Sequence, residues 1–206
     1  QNLAINQFNA DVFVYKAQVD ESEHWLLSAS DIVFDTDKVV LNPSFSVDLT
    51  STMVEAYVNV SPRKLDGINA LFPTGGKVKN TFKYLDRAFT GVGNVTNAQV
   101  LWRGKPQDYP FTDNSGIFQA YVDITASEFA FSTAWPSLTD LDLSLYFVND
   151  ALVMESPKGK LGGLNISEMS AAIPRLHPSS SLTIYAQGEG SGESLTSIMT
   201  QSSLSA

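Results

Sequence analysis

The stretch that decides the fold class is SGIFQAYVDITASEFAFSTAWP, residues 115–136. Its first half alternates as a strand with one buried face does, with apolar residues at the even positions 118, 120, 122 and 124. The phase then slips, and aromatic residues occupy the odd positions 129, 131 and 135. This pattern predicts that a strand ends at Ile124, that a turn follows at 125–128, and that the aromatic run packs under a neighbouring loop or subunit.

The same alternation recurs along the chain, while helical periodicity is almost absent. In LDLSLYF (141–147) large apolar residues occupy the odd positions. The pattern recurs in SFSVDLT (44–50), TMVEAYVNV (52–60) and SLTIYAQ (181–187). About ten such strands, separated by turns that contain Pro or Gly, predict an all-β fold: a single antiparallel β-sandwich of jelly-roll type. We expect the apolar positions of 118–124 and 141–147 to form the core.

Two segments depart from the strand pattern. NISEMSAAIP (165–174) spaces Ile166, Met169 and Ile173 as one side of a short helix that ends at the proline. From Gly188 onward the chain is rich in Gly and Ser, has few apolar anchors, and is expected to be a flexible C-terminal tail. The predicted organisation is therefore a sandwich domain, residues 1–187, followed by a tail, residues 188–206.

Composition and charge exclude several classes of protein. The 206 residues include no cysteine, which excludes disulfide frameworks, cysteine-ligated zinc and thiol catalysis. No apolar run approaches the roughly 20 residues of a membrane-spanning helix. The net charge is −9, but residues 63–105 carry eight basic and two acidic residues between two acidic parts of the chain. An acidic chain without a basic arm is poorly suited to nucleic acid, so only this middle segment could contact it.

The basic segment supplies the candidate site residues. In VKNTFKYL (78–85) and its flanks, strand alternation places Lys77, Lys79 and Lys83 on one side, and Arg87 follows closely. These four residues are predicted to face either a neighbouring subunit or RNA. Subunit pairing is favoured, because the acidic parts of the chain would repel a bound nucleic acid strand.

No residue pattern indicates catalysis, a cofactor or a metal site. TGGK (74–77) lacks the Ser or Thr of a phosphate loop, and GEGSGES (188–194) lacks the last glycine of a nucleophile elbow. Asp140 and Asp142 have carboxylates suited to calcium, although the solvated face of a strand is the simpler interpretation. We therefore predict that the chain is not an enzyme and has no catalytic, cofactor-binding or metal-binding residues.

The order of several segments carries a resemblance to a known family. AQVLWRG (98–104), the stretch 115–136, DLDLSLYFVND (140–150) and SSLTIYAQGEG (180–190) follow one another. This order resembles the later strands of the jelly-roll coat proteins of picorna-like viruses, and most closely the small coat protein of the plant secovirids, the comovirus and cheravirus group. The resemblance covers about residues 50–190.

The resemblance implies a structural protein of the virion. Such a coat protein tiles with homologous coat proteins cut from the same polyprotein and builds an icosahedral shell around genomic RNA. The implied partners are other capsid subunits and, weakly, RNA, with no membrane partner.

Two other hypotheses stay open at this point. One is a carbohydrate-binding, lectin-like β-sandwich, for which Trp25, Trp102 and Trp135 are candidate sugar-stacking residues. Each of them lies beside an alternating run, where a role in a core or an interface is commoner. The other is a hydrolase built on a jelly roll.

Overall fold

The computed structural model describes residues 4–63, 88–89, 91–176 and 180–202. Within these ranges the chain forms an eleven-stranded antiparallel sheet and a short helix, α1 (Gly192–Gln201). The strands are β1 (Ile5–Val19), β2 (Ser22–Thr36), β3 (Val39–Asp48), β4 (Met53–Pro62), β5 (Asn94–Gly104), β6 (Ile117–Phe129), β7 (Leu138–Val148), β8 (Ala151–Ser156), β9 (Gly159–Leu161), β10 (Leu164–Ile173) and β11 (Thr183–Glu189).

The sheet is a meander in which consecutive strands pair as hairpins. Its order runs from β1 to β8 and then to β10 and β11, and the short β9 pairs with both β7 and β10. The prediction of an all-β, antiparallel fold is confirmed. The jelly-roll sandwich is not confirmed, because a jelly roll divides its strands between two sheets and these strands follow one another in one.

One face of the sheet is apolar on strand after strand. Direct cross-strand partners lie on the same face of a sheet, so the pairing register traces that face. One row of partners crosses seven strands through Pro43, Val58, Val100, Ala120, Phe147, Leu152 and Ile173. A neighbouring row reaches the edge of the sheet through Phe45, Ala29 and Val12. We call this side of the sheet the apolar face and the opposite side the polar face.

A β-bulge accounts for the phase slip in residues 115–136. The strand β6 continues through Phe129, and its register passes from Ile124 opposite Leu143 to Ser127 opposite Leu141. Ala126 has a φ of 50°, and the extra residue brings Ser127 back onto the apolar face. The predicted strand end at Ile124 is therefore wrong, because a bulge changes the phase without ending the strand.

The helix predicted at 165–174 is also wrong, for the same physical reason. These residues belong to β10, where Ile166 pairs with Gly188 and Glu168 pairs with Gln187, which marks a second bulge. The bulge puts Ile166 and Met169 on one face although they are three residues apart. A strand with a bulge thus imitates helical spacing.

The helix α1 lies within the segment predicted to be a tail. Ser191 is its N-cap, and the Ser194 N–H donates to the Ser191 hydroxyl oxygen at 3.1 Å. Ile198 is buried, and a Cβ added at Gly162, in the turn between β9 and β10, would contact it. Flexibility of residues 188–206, and with it the boundary after residue 187, stays a prediction.

The apolar face is buried over its C-terminal half. The predicted core is confirmed: Ile124, Leu141, Leu143, Leu145 and Phe147 are buried, and the apolar residues at 118, 120 and 122 pack against them. Two residues between β4 and β5 join this core. The rings of Phe89 and Phe129 are 5.0 Å apart, and the Ala130 N–H donates to the Ala88 carbonyl oxygen at 2.7 Å.

The connection between β5 and β6 folds over the apolar face and forms an aromatic cap. Trp102 and Phe118, direct partners on that face, contact Tyr109 and Phe111 from the connection. The Trp102 ring lies 5.6 Å from that of Tyr109 and 5.2 Å from that of Phe111. Phe111 is buried, in a space that Gly116 leaves free.

Hydrogen bonds to Asp48 on the polar face fix the turn between β3 and β4. The Asp48 carboxylate accepts hydrogen bonds from the Ser51 hydroxyl at 2.6 Å and the Thr50 N–H at 2.9 Å, and it lies 2.5 Å from His24 Nδ1. The Ser51 hydroxyl hydrogen bond is the main cause that holds the pKa of Asp48 well below its usual range, and His24 adds to it.

The aromatic cap predicts the effect of Gly116→Ala. The added Cβ would lie 2.6 Å from the Arg103 carbonyl oxygen and 2.7 Å from the Phe111 ring. Overpacking of this kind costs about 1–3 kcal/mol, so the urea midpoint should fall. Gly192→Ala is the control, since no neighbouring atom lies within 4 Å of its Cβ. Equal midpoints for the two variants would show that the cap is not tightly packed.

The Asp48 contacts predict a pH dependence of stability. Because the folded pKa is lower than the unfolded value of about 3.9, the carboxylate stabilises the fold above about pH 4. That stabilisation is lost as the pH falls toward the folded pKa. Urea midpoints of the wild type and Asp48→Asn should therefore differ most at neutral pH and converge in acid. Ser51→Ala should reduce the difference, and parallel curves down to about pH 2 would contradict the assignment.

Candidate functional site

The N-terminal part of the apolar face is open to solvent. Phe8, Val12 and Val14 on β1 are 64%, 59% and 58% exposed, whereas the apolar side chains of β7 on the same face are buried. The alternation that buries the C-terminal half of the face therefore continues into β1, where none of the described residues covers Phe8, Val12 or Val14. An exposed apolar surface of this kind usually marks a binding surface.

A concave pocket lies on this open region. Its volume is about 360 Å³, within the range of about 300–1,000 Å³ typical of small-molecule sites. Every residue that lines it is apolar, and we call this set the open apolar face. The residues are Phe8, Ala10, Val12, Ala29, Ile32, Phe34, Leu41, Pro43 and Phe45.

Irregularities in β1 and β2 shape the pocket. The register of this hairpin shifts between Asn9 and Asp11, and the pairing of β2 with β3 is interrupted between Ala29 and Phe34. Asp31 lies in the interrupted part with a φ of 49°. Bulges bend and twist strands, which gives a sheet local concavity.

Charged and aromatic side chains mark one end of the open apolar face. In the β1–β2 hairpin Val12 pairs with Ala29, and four residues farther toward the turn Lys16 pairs with Trp25. Both pairs lie on the apolar face. Lys16 Nζ lies 5.1 Å from the centre of the Trp25 ring, and Lys16 forms an ion pair with Glu23. We call Lys16, Glu23 and Trp25 the rim.

The polar face carries a hydrogen-bonded ladder. The Tyr121 and Ser144 hydroxyls both donate to Asp123 Oδ1, each at 2.6 Å, and the Tyr121 ring packs against Tyr146. The hydrogen bond to Asp123 raises the pKa of Tyr121 to about 12, because it holds the phenol protonated. These polar groups satisfy one another's hydrogen bonds, and none of them is left as a reactive group.

Neither metal binding nor a membrane-spanning helix emerges from the described ranges. They contain no group of three or more side chains suited to a metal ion, and no helix in them is long and apolar enough to cross a bilayer. Asp140 and Asp142, considered as calcium ligands, instead pair with Lys160 at 2.7 Å and Lys158 at 2.9 Å. These hydrogen bonds hold the pKa of both carboxyls below its usual range.

The site residues predicted from the sequence stay a prediction. Lys77, Lys79, Lys83 and Arg87 lie outside the described residues. The open apolar face was missed, because Val12 and Val14 alternate in the sequence as buried residues do. Exposure depends on what covers a face, which alternation does not encode.

Comparison with known proteins gives the relationship. A family model described as YhdP protein matches residues 1–206. The chain is 36% identical over 124 residues to the intermembrane phospholipid transporter YhdP of Escherichia coli strain K12. This match covers 60% of the chain but 10% of the relative, so the chain spans a small part of that protein's length. No solved structure matches.

This relationship overturns the functional predictions. The resemblance to a secovirid coat protein was wrong, and so were the virion location and the capsid-subunit and RNA partners. The lectin-like alternative has no support either. Alternating strands with aromatic ends are common to many β folds, which explains why their order misled.

The prediction that the chain is not an enzyme is confirmed by this relationship, since the named relative is a transporter. With the whole of residues 1–206 matched by the family model, the chain belongs to the YhdP protein family.

Proposed function

We propose that this chain is a section of a phospholipid-transporting sheet and that its open apolar face holds the acyl chains of the lipid. The observation that carries the proposal is the entirely apolar pocket on β1 to β3, in which Phe8 and Val12 are exposed. The name of the related protein, an intermembrane phospholipid transporter, supports the choice of ligand.

The energetics favour an apolar occupant. Moving one methylene group from water to an apolar surface gains about 0.8 kcal/mol. An acyl chain lying on the open apolar face would also remove Phe8 and Val12 from water. The pocket lining provides no charged side chain, so nothing there favours a polar ligand.

The dimensions fit an acyl chain that lies along the strands. From Phe8 to Val14 the chain advances six residues, or about 20 Å at roughly 3.3 Å per residue. One leaflet of a bilayer has a hydrocarbon depth of about 15 Å, half of the roughly 30 Å core. The face is therefore long enough for the tail of one phospholipid.

The uniform lining suits transport as well as binding. Apolar contacts are non-directional, so a lipid tail on this face has no preferred hydrogen bond to break when it moves. The row of partners from Val12 through Ala29 to Phe45 runs across the strands without a polar interruption. Movement across the strands would thus exchange one apolar contact for another.

Val12→Glu tests the proposal. Val12 lines the pocket and is 59% exposed, so the new carboxylate should leave the fold intact but place a charge against the acyl chain. We expect binding of a phospholipid with a fluorescent acyl chain to weaken by at least about tenfold, since a buried charge is strongly unfavourable.

Phe13→Glu is the matched control. Phe13 is 57% exposed on the same strand but pairs with Ser28, which places it on the polar face. Its substitution should leave lipid binding unchanged. Equal loss in both variants would point to a general effect of charge or folding, and no loss in Val12→Glu would sink the proposed site.

A further inference from the structure

We propose, on the basis of the proposed function, that the rim binds the headgroup of a zwitterionic phospholipid. The phosphate would be paired with Lys16 and the headgroup ammonium with Glu23. The rim is then the headgroup end of the open apolar face, and the chain binds zwitterionic phospholipids in preference to others.

The position of the rim is the first support. Lys16 and Trp25 are direct partners two residues beyond Val14 and Leu27 toward the turn, so the apolar surface is followed at once by a charged pair on the same face. A tail on the open apolar face would bring its headgroup to this boundary. Trp25 is 49% exposed there, and tryptophan favours the boundary between hydrocarbon and headgroups in membranes.

The chemistry of the rim is the second support. The side chains of Lys16 and Glu23 are 45% and 60% exposed, so their ion pair is solvated and weak. A lysine ammonium has three donors and a carboxylate accepts several hydrogen bonds, so each group keeps capacity for a second partner. A headgroup with one phosphate and one ammonium complements both groups together.

The local charge decides between headgroup classes. The turn beside the rim contains Asp20 and Glu21, so this end of the hairpin carries three carboxylates, with that of Glu23, and one ammonium, that of Lys16. A purely anionic headgroup would meet net repulsion there. A headgroup that brings its own ammonium would be attracted.

Among the described residues, the opposite end of the hairpin offers no equivalent site. Arg63 pairs with Asp35 at 2.6 Å, and its Nε donates to the Thr36 carbonyl oxygen at 3.1 Å. Asp35 pairs with Val40 and not with a residue of the apolar row, which places this ion pair on the polar face. The rim is therefore the end of the open apolar face that presents a cation and a carboxylate on the lipid side.

The test compares vesicles that contain acyl-labelled phosphatidylethanolamine, phosphatidylcholine or phosphatidylglycerol. The wild-type chain should bind the two zwitterionic lipids about two- to fivefold better than phosphatidylglycerol, the range of exposed ion pairs. Glu23→Gln should lower binding of the zwitterionic lipids and raise that of phosphatidylglycerol. Lys16→Gln should lower binding of all three.

A second ion pair gives matched controls. Arg103 and Glu55 lie 3.0 Å apart with 66% and 56% exposed side chains, and their register places them on the polar face. Arg103→Gln and Glu55→Gln should not change the lipid preference. Equal wild-type binding of the three lipids, or an unchanged preference in Glu23→Gln, would overturn the headgroup site alone. Binding of none of them would overturn the proposed function as well.

Discussion

The structure depends on one constraint: a single meander sheet with one apolar face must keep that face from water. Over the C-terminal half the chain does this itself, with Phe89 and the aromatic cap packed on the strands. Each large side chain covered in this way contributes about 1.5–3 kcal/mol. On β1 the described structure leaves Phe8, Val12 and Val14 exposed, and the same driving force becomes available for an acyl chain.

Much of the fold could be predicted because alternation directly reports which side of a strand is apolar. The core of residues 141–147 with Ile124 followed from that pattern alone. The errors arose at bulges, where one extra residue shifts the phase. At Ala126 the shift imitated a strand end, and between Ile166 and Glu168 it imitated a helix. A period-2 pattern cannot distinguish these cases without the partner strand.

The site could not be predicted, because its exposed residues on β1 have the sequence pattern of core residues. Val12 has the alternation of a buried residue, and only the strand order shows that no second sheet packs on it within the described ranges. The lipid-facing role of the rim also depends on register, since Lys16 and Trp25 are far from adjacent in sequence but directly opposite in the hairpin. The coat-protein hypothesis rested on the order of alternating segments, which many β folds share, and the family relationship overturned it.

The most direct test of the account is to locate a bound acyl chain. A phospholipid with a photoactivatable group near the end of its tail would be bound, irradiated and mapped by mass spectrometry of the cross-linked peptides. The account predicts labels at apolar-face residues such as Val12, Phe34 and Phe45. Labels concentrated instead at exposed polar-face residues such as Phe13 and Tyr57 would contradict it.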